Sequence, residues 1–345
     1  MMLRRFFLLT ALLLPITATA QAVSHKEALR ILTPPAGMLL HGVYTGGITG
    51  EEDDITPADL SAYIRTVGKR PAWVYFSNNW YRSRAFPTKT ASWIRKAGVT
   101  PFVRLMLRSD PSQDHGDPVF TTKAIARGDF DADLAKWARA AARFKTPILA
   151  EWGTEMNGDW FQWNARWNGR AKGTERFAAA YRRIIDISRA NGATNIIWVF
   201  HVNHADGPRT RWNRMEKYYP GDDYIDWMGI SLYSMQGPDE DEKTAFIAID
   251  QTIKRLVKLA PTKPIIIAEF GTDVNNAREP AAAWADQALK HILSGRWPNL
   301  IGFAWWNETW PNGDDPKDAT DTRIQSDGQL TKLFRRHLLS PKIKH

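Results

Sequence analysis

Ile148-Leu-Ala-Glu-Trp-Gly-Thr-Glu155 and Pro264-Ile-Ile-Ile-Ala-Glu-Phe-Gly271 decide how this chain folds. Each is a short apolar run that places an acid near its end and turns through glycine. Runs that are apolar throughout, rather than at alternate positions, suit parallel strands buried on both faces. Six more follow the same rule: Met38–Tyr44, Ala72–Phe76, Pro101–Met106, Asn195–Phe200, Ile225–Tyr233 and Leu300–Trp306.

Amphipathic stretches fill the gaps. Thr56-Pro-Ala-Asp59 is a helix start, with a hydroxyl cap, proline in the first turn and an acid at the third position. Further helices are expected near Thr90–Ala97, Asp131–Phe144, Thr174–Ala190, Thr244–Leu259, Pro280–Leu293 and Gln329–Leu338, with a weak one around Arg209–Tyr219. Gly98, Gly192 and Gly295 stand where left-handed C-terminal caps belong. Eight strands alternating with helices predict an α/β chain folded as a (β/α)8 TIM barrel over residues 23–345, with a doubly wound open sheet as the alternative. No GxGxxG or GxxxxGK[ST] motif occurs, so nothing suggests a nucleotide.

The chemistry of such a barrel sits where its strands end. Glu155 follows the fourth strand and Glu269 ends the seventh. His201 and Asn203 follow the fifth, Tyr233 ends the sixth, and Trp305-Trp306 end the eighth. Two carboxylates facing one another across a bond between sugars are the equipment of glycoside hydrolysis. Either acid alone could be structural, Glu155 as a turn cap and Glu269 as a strand-end acid. Their joint placement favours catalysis. Many of the 16 tryptophans fall near expected loops, among them Trp80, Trp160, Trp163, Trp167, Trp212 and Trp310, where indole faces can stack on sugar rings. Core packing claims Trp73, Trp93, Trp137 and Trp198.

The segment Trp152–Trp163 resembles the acid/base motif of glycoside hydrolase family 26, the β-mannanase family of clan A, and Ile267-Ala-Glu-Phe-Gly271 resembles its nucleophile motif. The resemblance implies Glu155 as acid/base, Glu269 as nucleophile, a retaining mechanism, and Tyr233 orienting Glu269. It also implies Trp306, with Trp305, as the floor under the sugar at the cleavage point. Trp160, Trp163, Asn157 and His201 join the substrate-binding set. Closure of the barrel mouth is the other reading of Trp160 and Trp163, and a loop hydrogen bond the other reading of His201. The chain departs from the family pattern at Thr154, where histidine is usual, and at Glu151, where arginine is usual. Glu151 shares strand parity with Gly153 and Glu155, so it points into the barrel. There it needs a cation, and Arg104 on the third strand is the expected one.

Composition sets the surroundings. Met1-Met-Leu-Arg-Arg5, the apolar run Phe6–Pro15 and the small residues before Ala22 are the parts of a secretory signal peptide, residues 1–22, giving a secreted or periplasmic protein with no stable membrane insertion. The chain has no cysteine, so neither disulfides nor thiol chemistry enter. The formal charge is +9, scattered rather than striped, which argues for solubility and against nucleic acid. Asp110, His115 and Asp117 are expected to form a solvated loop, and no metal or cofactor is called for. The expected molecule is a monomer that takes a β-mannan, β-glucan or exopolysaccharide. An envelope transglycosidase or a non-catalytic polysaccharide-binding barrel are the alternatives.

Overall fold

The computed structural model describes residues 22–47, 49–234, 245–276, 279–311 and 319–344; the expected signal peptide lies outside them but for its last residue. Eight parallel strands close into one barrel in sequence order: β1 (Leu40–Tyr44), β2 (Trp73–Asn79), β3 (Thr100–Met106), β4 (Ile148–Trp152), β5 (Ile196–Asn203), β6 (Trp227–Tyr233), β7 (Ile265–Gly271) and β8 (Leu300–Trp306). The ring shuts where β1 pairs with β8, from Leu40 opposite Gly302 to Tyr44 opposite Trp306. The fold is thus the expected (β/α)8 barrel, and its apolar runs are buried along nearly their whole length.

The helices around it are α1 (His25–Leu32), α2 (Pro57–Val67), α3 (Thr88–Lys96), α4 (Thr122–Arg127), α5 (Asp131–Phe144), α6 (Ala165–Asn168), α7 (Ala171–Ala190), α8 (Ala245–Leu259), α9 (Ala281–Leu293) and α10 (Gly328–Leu338). Thr56 and Asp59 form a capping box that starts α2, each side chain accepting from the other's backbone N–H. Between β5 and β6 the weak helix is only a 3₁₀ turn, Met215–Tyr218. Three short helices escaped the sequence reading: α1, α4 and α6. Each is eight residues or fewer, too short for helical periodicity to stand out.

The lower end of the barrel is plugged by Trp73. A side chain at Gly42 would sit 2.0 Å from its ring and one at Gly302 2.8 Å, so two strands must lack a Cβ where the indole lies across them. The first and last described residues also lie at this end. Val23 donates to the carbonyl of Lys145 just before β4, and Leu39 bridges to Ile343 just before β1. No helix among the described residues is long and apolar enough to cross a membrane.

Candidate active site

The opposite end of the barrel is built from two local distortions. On β7 the register slips by one residue, so that Ser231 of β6 faces Glu269 rather than Ala268. A bulge of this kind re-aims the side chain beyond it, here the carboxyl of Glu269. After β4 the chain turns twice through left-handed conformations, at Gly153 (φ +69°) and at Glu155 (φ +49°). Glycine is required at the first, because a Cβ there would meet Phe177 at 2.3 Å. Glu155 tolerates the second because its N–H donates to the His201 carbonyl (2.9 Å) and its own carbonyl accepts from Gly158 (2.8 Å).

Both acids are almost wholly buried, Glu155 being 9% and Glu269 4% exposed. Glu155 receives one hydrogen bond on each oxygen, from the Trp160 indole N–H (2.9 Å) and from the Asn203 amide (3.2 Å). Glu269 is held from two sides: the Tyr233 hydroxyl donates to Oε2 (2.9 Å), and Arg104 pairs closely with Oε1. Burial first, then the nearby charge of Glu155, raises the Tyr233 phenol well above its ordinary value. Tyr233 thus holds Glu269 at the end of β7, while Glu155 stands just past the end of β4, on the same face of the barrel.

Arg104 is the hub beneath them. Its Nη1 donates to both oxygens of Glu52 (3.0 and 2.9 Å), its Nε to the Tyr75 hydroxyl (2.6 Å), and the same Nε lies 3.3 Å from Glu151. Burial works against the guanidinium charge, yet Glu52, Tyr75 and Glu151 together raise its pKa well above the usual value. The expected pairing of Arg104 with Glu151 is thus present, on directly opposed residues of β3 and β4. Glu151 also takes the Tyr75 hydroxyl and faces His201 Nδ1 at 2.8 Å. Burial pushes the Glu151 carboxyl up, but the charge and hydrogen bond of His201, with Arg104 and Tyr75, bring it below the ordinary range. A carboxylate can only accept, so Nδ1 carries the proton there, and Nε2 pairs with the Ser231 hydroxyl at 2.7 Å.

Several sequence-based assignments need correction. Trp305 does not floor the cleft. It is fully buried on the outer face of β8, packed edge-on to Phe270 and to Phe334 of α10, with its N–H on the Thr322 carbonyl (2.7 Å). Trp163 stacks on Phe161 and donates to the Thr154 carbonyl (2.7 Å), so it supports the Glu155 turn from behind instead of meeting sugar. Asn157 is fully buried and pins that turn to the β5–β6 connection, through Asn203, Ala205 and Asp206. His201 is likewise sealed off, between Glu151, Thr154 and Ser231. Trp160 and Tyr233 keep partial exposure in the cleft, with Trp310 edge-on to Tyr233 at 5.9 Å, and Trp306 lies against Tyr44 at 4.2 Å. Asp117 is buried rather than solvated, and gathers the backbone N–H groups of Ser109, Val119 and Phe120.

Two acids went unnoticed in the sequence. Glu52 lies in the run Glu51-Glu-Asp-Asp54, which resembles a solvated loop; its left-handed backbone (φ +61°) turns its carboxylate inward to Arg104 and Ser77. Glu308 accepts from Trp306 Nε1 (3.1 Å) and Tyr44 (3.2 Å), and burial, followed by the Glu52 charge, pushes its carboxyl up to about 8. Its only signal was spacing, two residues beyond Trp306.

The sequence profile of Glycosyl hydrolase family 26 matches residues 114–295, just over half of the chain. The chain belongs to that family. Among curated proteins, Endoglucanase H of Acetivibrio thermocellus is 31% identical over 218 residues, 63% of this chain and 23% of that protein. The Mannan endo-1,4-beta-mannosidase A and B of Caldalkalibacillus mannanilyticus is 26% identical over 163 residues, 45% of this chain and 27% of that one. The matched region spans less than a third of either relative. The catalytic domain of the family 26 endo-beta-1,4-mannanase of Bacillus sp. JAMB-750 superposes with a TM-score of 0.65 over 94% of this chain and 92% of that one, at 16% identity, a likeness of fold. The two departures of this chain from the family pattern form one buried patch: Thr154 Oγ1 lies 3.0 Å from His201, and Glu151 takes its cation from β3.

Proposed function

We propose that this protein is an exported, endo-acting retaining β-glycosidase that cuts a mannan- or glucan-like polysaccharide. The reading rests on one observation: Glu269 on β7 and Glu155 just past β4, on opposite sides of the barrel, are both buried at the C-terminal end of the strands, and Tyr233 donates to Glu269. Similarity to an endoglucanase and to mannanases supports the substrate class, and the basic head with its apolar run supports export.

The groups divide the work as follows. A Glu269 oxygen attacks the anomeric carbon as the C–O bond to the leaving sugar breaks, and the leaving oxygen takes the proton of Glu155. Arg104 and Tyr233 fix the two Glu269 oxygens, which leaves one further lone pair on each to face the sugar. Water then attacks the same carbon and yields its proton to Glu155, and the Glu269 ester breaks with retention. Trp160 holds the acid in place through its N–H, and Trp306 offers a ring in the floor.

A panel of neutral and acidic β-linked polysaccharides tests this, with Glu155→Gln and Glu269→Gln as controls. Glu155→Gln should lower kcat by about 10²–10⁴-fold, and Glu269→Gln should abolish turnover while both variants keep the wild-type circular dichroism. Undiminished turnover by Glu269→Gln, or inversion at the anomeric carbon by proton NMR, would refute the proposal.

A further inference from the structure

Beside the cleft lies a second concavity. It has a volume of about 320 Å³ and is lined by Asp206, Arg209, Thr210, Arg211, Arg214 and Arg255. That is near the lower bound of about 300 Å³ for small-molecule sites. Arg209, Arg211 and Arg214 come from six consecutive residues between β5 and β6, and Arg255 reaches in from α8.

The charges do not cancel. Arg255 is held by Glu216 (2.9 Å) and Asp206 (2.8 Å), and Arg214 lies 3.3 Å from Glu216. Among the described residues Arg209 and Arg211 carry no ion pair. Four guanidinium groups thus face two carboxylates, a surplus of two positive charges around one concavity. A loop that only needed solubility would not have to be this rigid. Asn213 is fully buried and donates to the carbonyls of Asn157 and Pro208, while Asp206 accepts from Asn157 and from the backbone of Met215.

Its position relates it to the cleft. A Cβ at Gly207 would lie 3.5 Å from the Trp160 ring, and Trp160 donates directly to Glu155. Asp206 of the basin is therefore one residue from the Trp160 side of the cleft. Arg209 and Arg211, exposed on this loop, are guanidinium groups open to recognise carboxylates through paired hydrogen bonds.

We propose that the basin is a subsite for a carboxylate borne by the polysaccharide, so that the preferred substrate is an acidic, uronate-type β-linked chain. This rests on the glycosidase reading above and narrows its substrate.

Binding without turnover separates the two. Affinity electrophoresis of Glu269→Gln, in gels containing carboxymethyl-cellulose or uncharged hydroxyethyl-cellulose, reads retardation by the same backbone with and without carboxylates. Glu155→Gln replaces it if that variant fails to fold. The carboxylated gel should retard the protein at least tenfold more strongly, and adding Arg209→Gln with Arg211→Gln should cut that preference to threefold or less. Lys89→Gln with Lys96→Gln removes the same charge from α3 and should leave the preference in place. Dextran sulfate supplies anions without carboxylates and should not reproduce the Arg209/Arg211 dependence. Equal retardation in both gels, an equal effect of the lysine pair, or the same dependence with dextran sulfate would overturn the proposal. If the wild type cleaves no polymer yet the preference holds, the catalytic reading fails and the subsite stands.

Discussion

Replacing Glu308 by glutamine removes a buried acid that keeps its proton at neutral pH. Burial, then the charge of Glu52, raises its pKa from the ordinary 4.5 to about 8. The unfolded chain releases this proton above about 4.5, whereas the folded protein holds it until about 8. Between those values the native state binds more protons, so stability falls as pH rises and levels off beyond about 8. The gap of about 3.5 units corresponds to about 5 kcal/mol in full, and about 2–3 kcal/mol of it is lost between pH 5.5 and 7.5. Glutamine can still accept from Trp306 and donate to Tyr44, so the variant keeps both contacts and loses only the titration. Urea unfolding followed by tryptophan fluorescence, at pH 5.5 and 7.5, measures this. The wild type should lose about 2–3 kcal/mol relative to Glu308→Gln across that interval. Parallel pH dependence in the two proteins would refute the reasoning.

Tyr233→Phe removes one hydrogen bond from Glu269 and should lower kcat about 10-fold or more with the fold unchanged, since one bond to a charged group contributes about 1.5–3 kcal/mol; steady-state kinetics and circular dichroism check it. Arg104→Met leaves Glu52, Glu151 and Glu269 without their shared cation and should destabilise the protein by at least 3–5 kcal/mol, measured by urea unfolding. Trp305→Ala should cost about 3–5 kcal/mol as a core truncation, while Trp160→Phe should cost about 1 kcal/mol or less and instead reduce kcat, because it withdraws the indole N–H from Glu155. The thermal midpoints and rates of the two variants separate the roles.

The barrel was legible because its strands are apolar along their whole length, a pattern only doubly covered strands need. Glu269 and Tyr233 drew notice for the same reason, since they lie at the ends of such runs, and Glu155 because it follows one by three residues. Parity even gave the Glu151–Arg104 pair. What strand ends could not give was direction. Trp305 and Trp306 are neighbours, and successive residues of a strand face opposite sides, so only one of them could look into the cleft. Trp163, Asn157 and His201 sit close to the acid in sequence and in space, but hold up its turn from within. Glu52 was out of reach for another reason: a left-handed residue in an acidic loop leaves no periodic trace, and only the closed barrel brings it to Arg104, 52 positions away.

The plugged end of the barrel has a practical meaning. Val23 and Lys344 are both anchored there, before β4 and before β1, while the cleft opens where the same strands finish. A seven-residue strand spans about 23 Å at 3.3 Å per residue. A module, tag or surface linker joined at residue 23 or residue 344 would therefore attach about a strand's length from the chemistry, and the mouth of the barrel would face away from whatever the protein is fixed to.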